Sequence, residues 1–311
     1  MHGLTKVLLS PSTHVAGLIS RLKIDTKLKL DLLGKITKVY DSIPIYTIRK
    51  LSVAEIEENA KYYASKFMGS SLPISFSSKQ REEDSTLINL PWNTQMRIYY
   101  DSNSITIKRK LNLMENLIKE EYKVKQQIEI VTNLSEKLQL DKFRLHFEEV
   151  KLENISQIKA SGTNIEGKNL PVVICRIVAI FRRFINMIPV YGVPSIFLRI
   201  AADNLVDSIG IDWRHIEEKP IEYPRIIKPE IAAEKILENL SNTVPDKTIT
   251  SDDYVPLAFT IGYLSMPKRW NQTYMQPVYI AKFKPLGHTT LDPILIVPAT
   301  TYDYEHISVT G

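Results

Sequence analysis

A helical period gives way to alternating strands three times along this chain of 311 residues. The first helix spans residues 52–67. Ser52 stands where an N-cap should, and Glu55 three residues later completes a capping box. Ile56, Ala60, Tyr63, Ala64 and Phe67 then fall on one apolar stripe, and Gly69 supplies the stop. Residues 96–100 and 104–108 alternate around Asp101-Ser102-Asn103, a hairpin signal. A second helix is expected at 112–139, carrying Leu113, Leu117, Val124, Ile128, Val131 and Leu138. Strands follow at 143–150, 172–184, 195–201 and 206–216, with Asp203-Asn204 joining the last two. A third helix opens at Lys228-Pro229-Glu230, with Ile231, Ala232, Lys235, Ile236 and Leu240 in register. Strands at 254–264, 274–284 and 290–299 close the chain. Residues 1–40 show no clean period and read as an arm, 69–94 read as a loop, and 188–192 read as a turn. A doubly wound fold needs strict alternation of strand and helix. The expected class is therefore α+β, built from duplicated helix-plus-antiparallel-sheet units. The expected divisions are an arm at 1–40, a first unit at 41–150 and a second, with the larger sheet, at 151–311.

Composition supports strands. The chain has 15 Tyr and 17 Pro against 11 Gly; tyrosine suits pleated, half-buried surfaces, and proline is excluded from helix interiors and central strands. The two combine in a recurring signature: I-P-I-Y at 43–46, I-P-V-Y at 188–191 and Q-P-V-Y at 276–279. A hydrophobic fraction of 44% excludes wholesale disorder. The net charge of +5 is spread out, with Lys108-Arg109-Lys110 and Arg182-Arg183 the densest clusters. Nucleic-acid binders concentrate basic charge on one face, so no nucleic-acid partner is expected. Cys175, the single cysteine, lies in an apolar run and reads as a small buried hydrophobe. No signal peptide or apolar span is visible, so the chain is expected to be soluble as written, reaching a membrane only through an anchor this sequence lacks.

The chemical motifs are incomplete. Residues 162–169, Gly-Thr-Asn-Ile-Glu-Gly-Lys-Asn, come close to a phosphate loop, but Asn169 replaces the hydroxyl that would hold Mg²⁺ and a strand follows where a helix is needed. They read as a glycine-bearing strand connection. The histidines, at 2, 14, 146, 215, 288 and 306, are never three to five residues apart, so no metal site is expected. Ser20-Lys23, Ser156-Lys159 and Ser265-Lys268 match S-x-x-K without its partner motifs. The pairs Glu148-Glu149, Glu217-Glu218 and Asp252-Asp253 are sequence neighbours, which point to opposite faces of a strand. No catalytic residue and no cofactor is expected. The open alternative is a hydrolase with a dispersed site, where His146, His215 or a carboxylate pair would have to converge.

The most distinctive stretch runs F-R-R-F-I-N-M-I-P-V-Y-G at 181–192, then F-L-R-I at 197–200 and I-G-I-D-W-R at 209–214. It resembles the repeated unit of PepSY-type domains and the YycH/YycI-type extracytoplasmic regulators. The segments at 227–237 and 276–283 resemble the opening helix and a strand of the next such unit. The resemblance implies a non-catalytic regulatory module outside the cell, at the cell surface or secreted, while the single cysteine fits the cytoplasm equally. Its implied partner is a protein, such as a membrane sensor kinase or a peptidase. Tyr191, Trp213, Arg214, Trp270 and Tyr274 fall at strand ends or loops and are the expected contact residues, since aromatic and Arg side chains are enriched at interface hot spots.

Overall fold

A computed structural model describes residues 7–9, 25–69, 79–81, 84–112, 116–118, 122–163, 165–242, 249–287 and 292–305. In chain order the elements are β1 (Val7–Leu9), α1 (Thr26–Leu33), β2 (Tyr46–Thr47), α2 (Val53–Met68), β3 (Lys79–Arg81), β4 (Thr86–Leu90), β5 (Thr94–Tyr99) and β6 (Ser104–Arg109). Then come α3 (Val124–Leu138), β7 (Glu148–Ala160), β8 (Val173–Ile185), β9 (Ile188–Gly192), β10 (Ile196–Ile200) and β11 (Val206–Asp212). The last are α4 (Pro229–Asn242), β12 (Tyr254–Ser265), β13 (Tyr274–Met275), β14 (Pro277–Pro285) and β15 (Ile294–Pro298). The fold is α+β, with strands paired mostly antiparallel.

The chain folds into two units, each assembled from separate segments: Met1–Thr47 with Glu217–Leu264 and Thr273–Gly311, and Ile48–Ile216 with Ser265–Gln272. The expected boundaries lie at 40/41 and 150/151, whereas β7 runs unbroken across residue 150.

In the first unit β12, β14 and β15 pair antiparallel in that order, and β1 adds to β15 in parallel. Helix α4 packs on β15 and on α1. Two tyrosines of the β-strands reach across to loop carbonyls: Tyr263 donates to Pro44 O at 2.8 Å and Tyr279 to Ile227 O at 2.9 Å. Both rings are buried, and burial of the hydroxyls pushes their pKa up. A buried hydroxyl without a partner costs free energy, so these bonds fix the loops to the sheet.

In the second unit β8, β10, β11, β6, β5, β4 and β3 form an antiparallel order, with β7 on the other edge of β8 and β9 beside its end. Helices α2 and α3 share one core with β4, β5, β6, β8, β10 and β11. The capping box of Ser52 and Glu55 is present, the five stripe residues of α2 are all buried, and Gly69 ends the helix at φ 71°. Gly210 has a steric reason: a Cβ there would lie 2.0 Å from the ring of Phe197, its cross-strand partner.

Several expected elements are corrected. The arm at 1–40 contains α1, capped by Asp25 through the Lys27 and Leu28 amides and seated on Leu28 and Leu32. Alternating lysines hid this helical pair. The loop at 69–94 contains β4, whose alternating burial ends at Pro91, and the short β3; residues 70–78 and 82–83 lie outside the described residues. The helix expected at 112–139 begins at Val124, because Ile118 instead bridges Ile174 of β8; Leu113 lies outside the described residues. Residues 143–147 are turn rather than strand, with Glu148 Oε2 accepting from the Leu145 amide at 2.9 Å. His146 therefore sits in a turn. Residues 188–192 are strand β9, and the reversal lies just before, at Asn186 (φ 49°) and Met187 (φ 63°). Consecutive left-handed residues match the twist of a two-residue hairpin. In α4, Ile231 is exposed while Ala233 and Leu237 join Ala232, Ile236 and Leu240 in burial, so the stripe is rotated from the expected one.

Candidate ligand-binding cleft

The helical ends and strand ends of the second unit enclose a cleft of about 440 Å³. Three sequence features build it. The left-handed Gly69 caps α2 just past Lys66, Phe67 and Met68. Gln139, also left-handed, ends α3 just past Lys137 and Leu138. Asp203 (φ 57°) and Asn204 (φ 56°) reverse β10 into β11, a conformation that Asp and Asn tolerate. Arg109, the last residue of β6, completes the wall.

The lining combines charge with an apolar floor. Lys66, Arg109 and Lys137 are its described cations, and Asp203 its described carboxylate. Phe67, Leu134, Leu138 and Val206 supply apolar surface. Each lysine lies in the last turn of its helix, where the helix dipole favours a cation. Arg109 is held more tightly. Its Nε donates to Val206 O at 3.2 Å and its Nη2 to Phe67 O at 3.4 Å, with the guanidinium 4.9 Å from the Phe67 ring centre. Burial lowers its pKa, and the charge of Asp207 opposes that shift. Asp207 is itself buried and shared: Arg176 Nε donates to one carboxylate oxygen and Arg199 Nε to the other at 2.6 Å. Arg176 also donates to Cys175 O at 2.6 Å and Asn112 O at 3.2 Å.

A second set of ionisable groups in the same unit faces inward, with Glu148, Arg183, Asp212 and Arg214 buried and His215 and Lys268 half-buried. Arg183 Nε donates to Glu148 Oε1 at 3.0 Å, its Nη2 meets the same oxygen, and its Nη1 donates to Arg214 O at 2.7 Å. Its guanidinium lies 4.5 Å from the Trp213 ring centre. Arg214 Nη2 donates to the carbonyls of Met266 (3.2 Å), Pro267 (3.1 Å) and Trp270 (2.9 Å), which fixes segment 265–272. Ser102 donates to Ser104 at 2.7 Å, Ser104 to Asp212 Oδ1 at 2.8 Å, and Lys268 Nζ to Thr106 Oγ1 at 3.2 Å. Burial raises the pKa of Asp212 against the pull of Lys268, and lowers that of Lys268 against the pull of Asp212. His215, packed 5.9 Å from the Phe143 ring, is pushed down to about 4, mainly by burial and then by Arg183 and Arg49. Hydroxyls beside a lysine and a carboxylate are the ingredients of an activated nucleophile. Here Ser102, Ser104 and Asp212 are each no more than 3 % exposed, so this surface offers a substrate no approach to them.

The expected contact residues scatter. Trp213 is 3 % exposed and Arg214 1 %, so neither contributes contact area: the ring joins the core and the guanidinium faces inward carbonyls. Tyr191 is half-buried beneath Arg182, 4.3 Å away, which pairs with Glu153. Trp270 is 40 % exposed. Tyr274 is half-buried in the first unit, its ring 5.9 Å from Tyr304. Among the described residues no carboxylate pair gathers with His146 or His215 into a cluster of three or more. Glu148 holds Arg183, Glu149 pairs with Lys151, Glu217 and Glu218 are exposed, and Asp253 accepts from Thr250. The Gly162–Asn169 region is the link between β7 and β8, closed by the Thr163–Asn169 bridge, and Cys175 is buried. Among the described residues no cluster of three or more His, Cys, Asp or Glu could hold a metal, and no helix is long and apolar enough to cross a membrane. The cleft cations carry little signal in the sequence. Lys108-Arg109-Lys110 stands out as a basic cluster, and alternation along β6 sends the middle residue to the opposite side from its neighbours.

No family model matches the chain, and no curated protein matches it, PepSY-type and YycH/YycI-type proteins included. Among solved structures, an uncharacterized protein from Eubacterium rectale ATCC 33656 is similar at a TM-score of 0.47 and 10% identity, over 85% of this chain and 85% of that one.

Proposed function

We propose that this chain is a non-catalytic binding module of the regulatory kind, and that the cleft of its second unit receives an anionic ligand. The observation that carries this reading is a difference in access. Lys66, Arg109 and Lys137 line a concavity, while the serines, Asp212 and Arg183 that a hydrolase would need are buried. Neither His146 nor His215 is among the cleft's described lining residues, so the histidines that a dispersed hydrolase would use do not meet at this concavity. The PepSY-type and YycH/YycI-type resemblance supports the regulatory part, with a protein partner outside the cell. Tyr191, Trp270 and Tyr274 keep accessible area for such a contact. The reading of the architecture as a duplicated unit rests on the recurring order of helix and hairpin in the sequence.

Thermal unfolding in benzoate, phthalate and phenyl phosphate tests the reading, because a ligand of the native state raises stability by mass action. At least one anion should raise Tm, and the Lys66→Gln/Lys137→Gln variant should lose the shift. Unfolding unmoved by every anion would overturn the proposal, as would hydrolysis of the ester at a rate that depends on His215 or Lys268.

A further inference from the structure

Among the described residues the charge lining the cleft exceeds what one carboxylate would balance: three cations face it against the carboxylate of Asp203. The wall behind adds to the excess, because Arg176 and Arg199 both claim Asp207, the acid whose charge reaches Arg109. Backbone carbonyls accept from the Nε and Nη2 of Arg109, which orients the guanidinium in the cleft wall. Lysine ammoniums are compact point charges with three rotatable donors, suited to a tetrahedral group approached from several sides. Beside these cations, Phe67, Leu134, Leu138 and Val206 form an apolar floor. The volume of about 440 Å³ falls in the range of small-molecule sites, roughly 300–1,000 Å³.

Building on the reading of the cleft as an anion site, we propose that its ligand is a small organic phosphate, with a dianionic phosphoryl group among Lys66, Arg109 and Lys137 and an apolar body on the floor. Titration calorimetry of the full chain with phenyl phosphate, benzoate and inorganic phosphate tests this. The two aromatic probes share a ring and differ in charge; the two phosphates share the anion and differ in body. Phenyl phosphate should bind about tenfold or more tighter than either of the others, a difference of about 1.4 kcal/mol. Arg109→Gln should weaken it by a similar factor. Because Arg109 also caps backbone carbonyls, Lys137→Gln, an exposed position, is the companion variant and should do the same. Benzoate binding as tightly as phenyl phosphate would overturn the phosphoryl assignment while leaving an anion site standing. Inorganic phosphate binding as tightly would overturn the organic body. No heat from any of the three would overturn both this inference and the reading beneath it.

Discussion

The second unit uses arginine in two ways. Arg183 and Arg214 are within 2 % of complete burial, and each donates to acceptors of its own unit, Arg214 through its Nη2. Arg109 is half-buried and borders a cleft alongside two lysines. The residue type is the same, but the strand position decides its role. Arg183 lies within β8, flanked by β7 on one edge, so its charge must be met inside the protein. Arg109 ends β6, beside two helix termini that leave room in front of it. Buried ion pairs contribute little net stability but cost several kcal/mol when one partner is removed; charges that face water can be removed cheaply and remain available to a ligand.

The largest effect should come from breaking the sealed pair. Arg183→Met leaves Glu148 buried without its guanidinium and should cost about 3–5 kcal/mol in chemical denaturation. Adding Glu148→Met should recover most of that loss, because no buried charge is then stranded. A single-variant cost below about 1 kcal/mol would mean that water reaches Glu148 and that the two classes of arginine are not distinct.

Next in size is acid sensitivity. His215 has a folded pKa of about 4 against an ordinary value near 6.5. The unfolded chain therefore binds the extra proton first. This contribution to stability is complete above pH 6.5 and is lost as pH falls from 6.5 towards 4, by ~3 kcal/mol. Denaturation midpoints across that window should fall for the wild type, and His215→Gln should flatten this component. An unchanged slope in the variant would contradict the lowered pKa of the half-buried His215.

The smallest effect should be at the cleft. The Lys66→Gln/Lys137→Gln variant should change stability by less than about 0.5 kcal/mol per site, as surface substitutions usually do, even as it abolishes the response to anions. A large loss in denaturation would make these lysines structural helix-end charges and erase the contrast.

Much of the fold was legible because local rules and tertiary structure agreed. The box of Ser52 and Glu55, the stripe of α2, the hairpin of β5 and β6 and the long β8 all follow from spacing alone. Errors arose where a long-range partner overrode local period. Ile118 pairs with β8 instead of continuing a helix, and the Asn186-Met187 reversal moves the turn two residues before Pro189. The cleft was less visible because Lys66, Arg109 and Lys137 come from three separate elements, and only the end of β6 showed a basic cluster in sequence. Trp213 and Arg214 were misread for the opposite reason. Their types suit interfaces, but the Met266, Pro267 and Trp270 carbonyls that enclose Arg214 lie about fifty residues further along the chain.

Amide chemical-shift mapping of the ¹⁵N-labelled chain during titration with phenyl phosphate tests the open cleft most directly. Saturable shifts should centre on Gly69, Leu138 and Asn204, at the ends of α2 and α3 and the link between β10 and β11, and the amides of Arg183 and Arg214 should stay still. Shifts that never saturate, or that spread over lysines remote from the cleft, would contradict it.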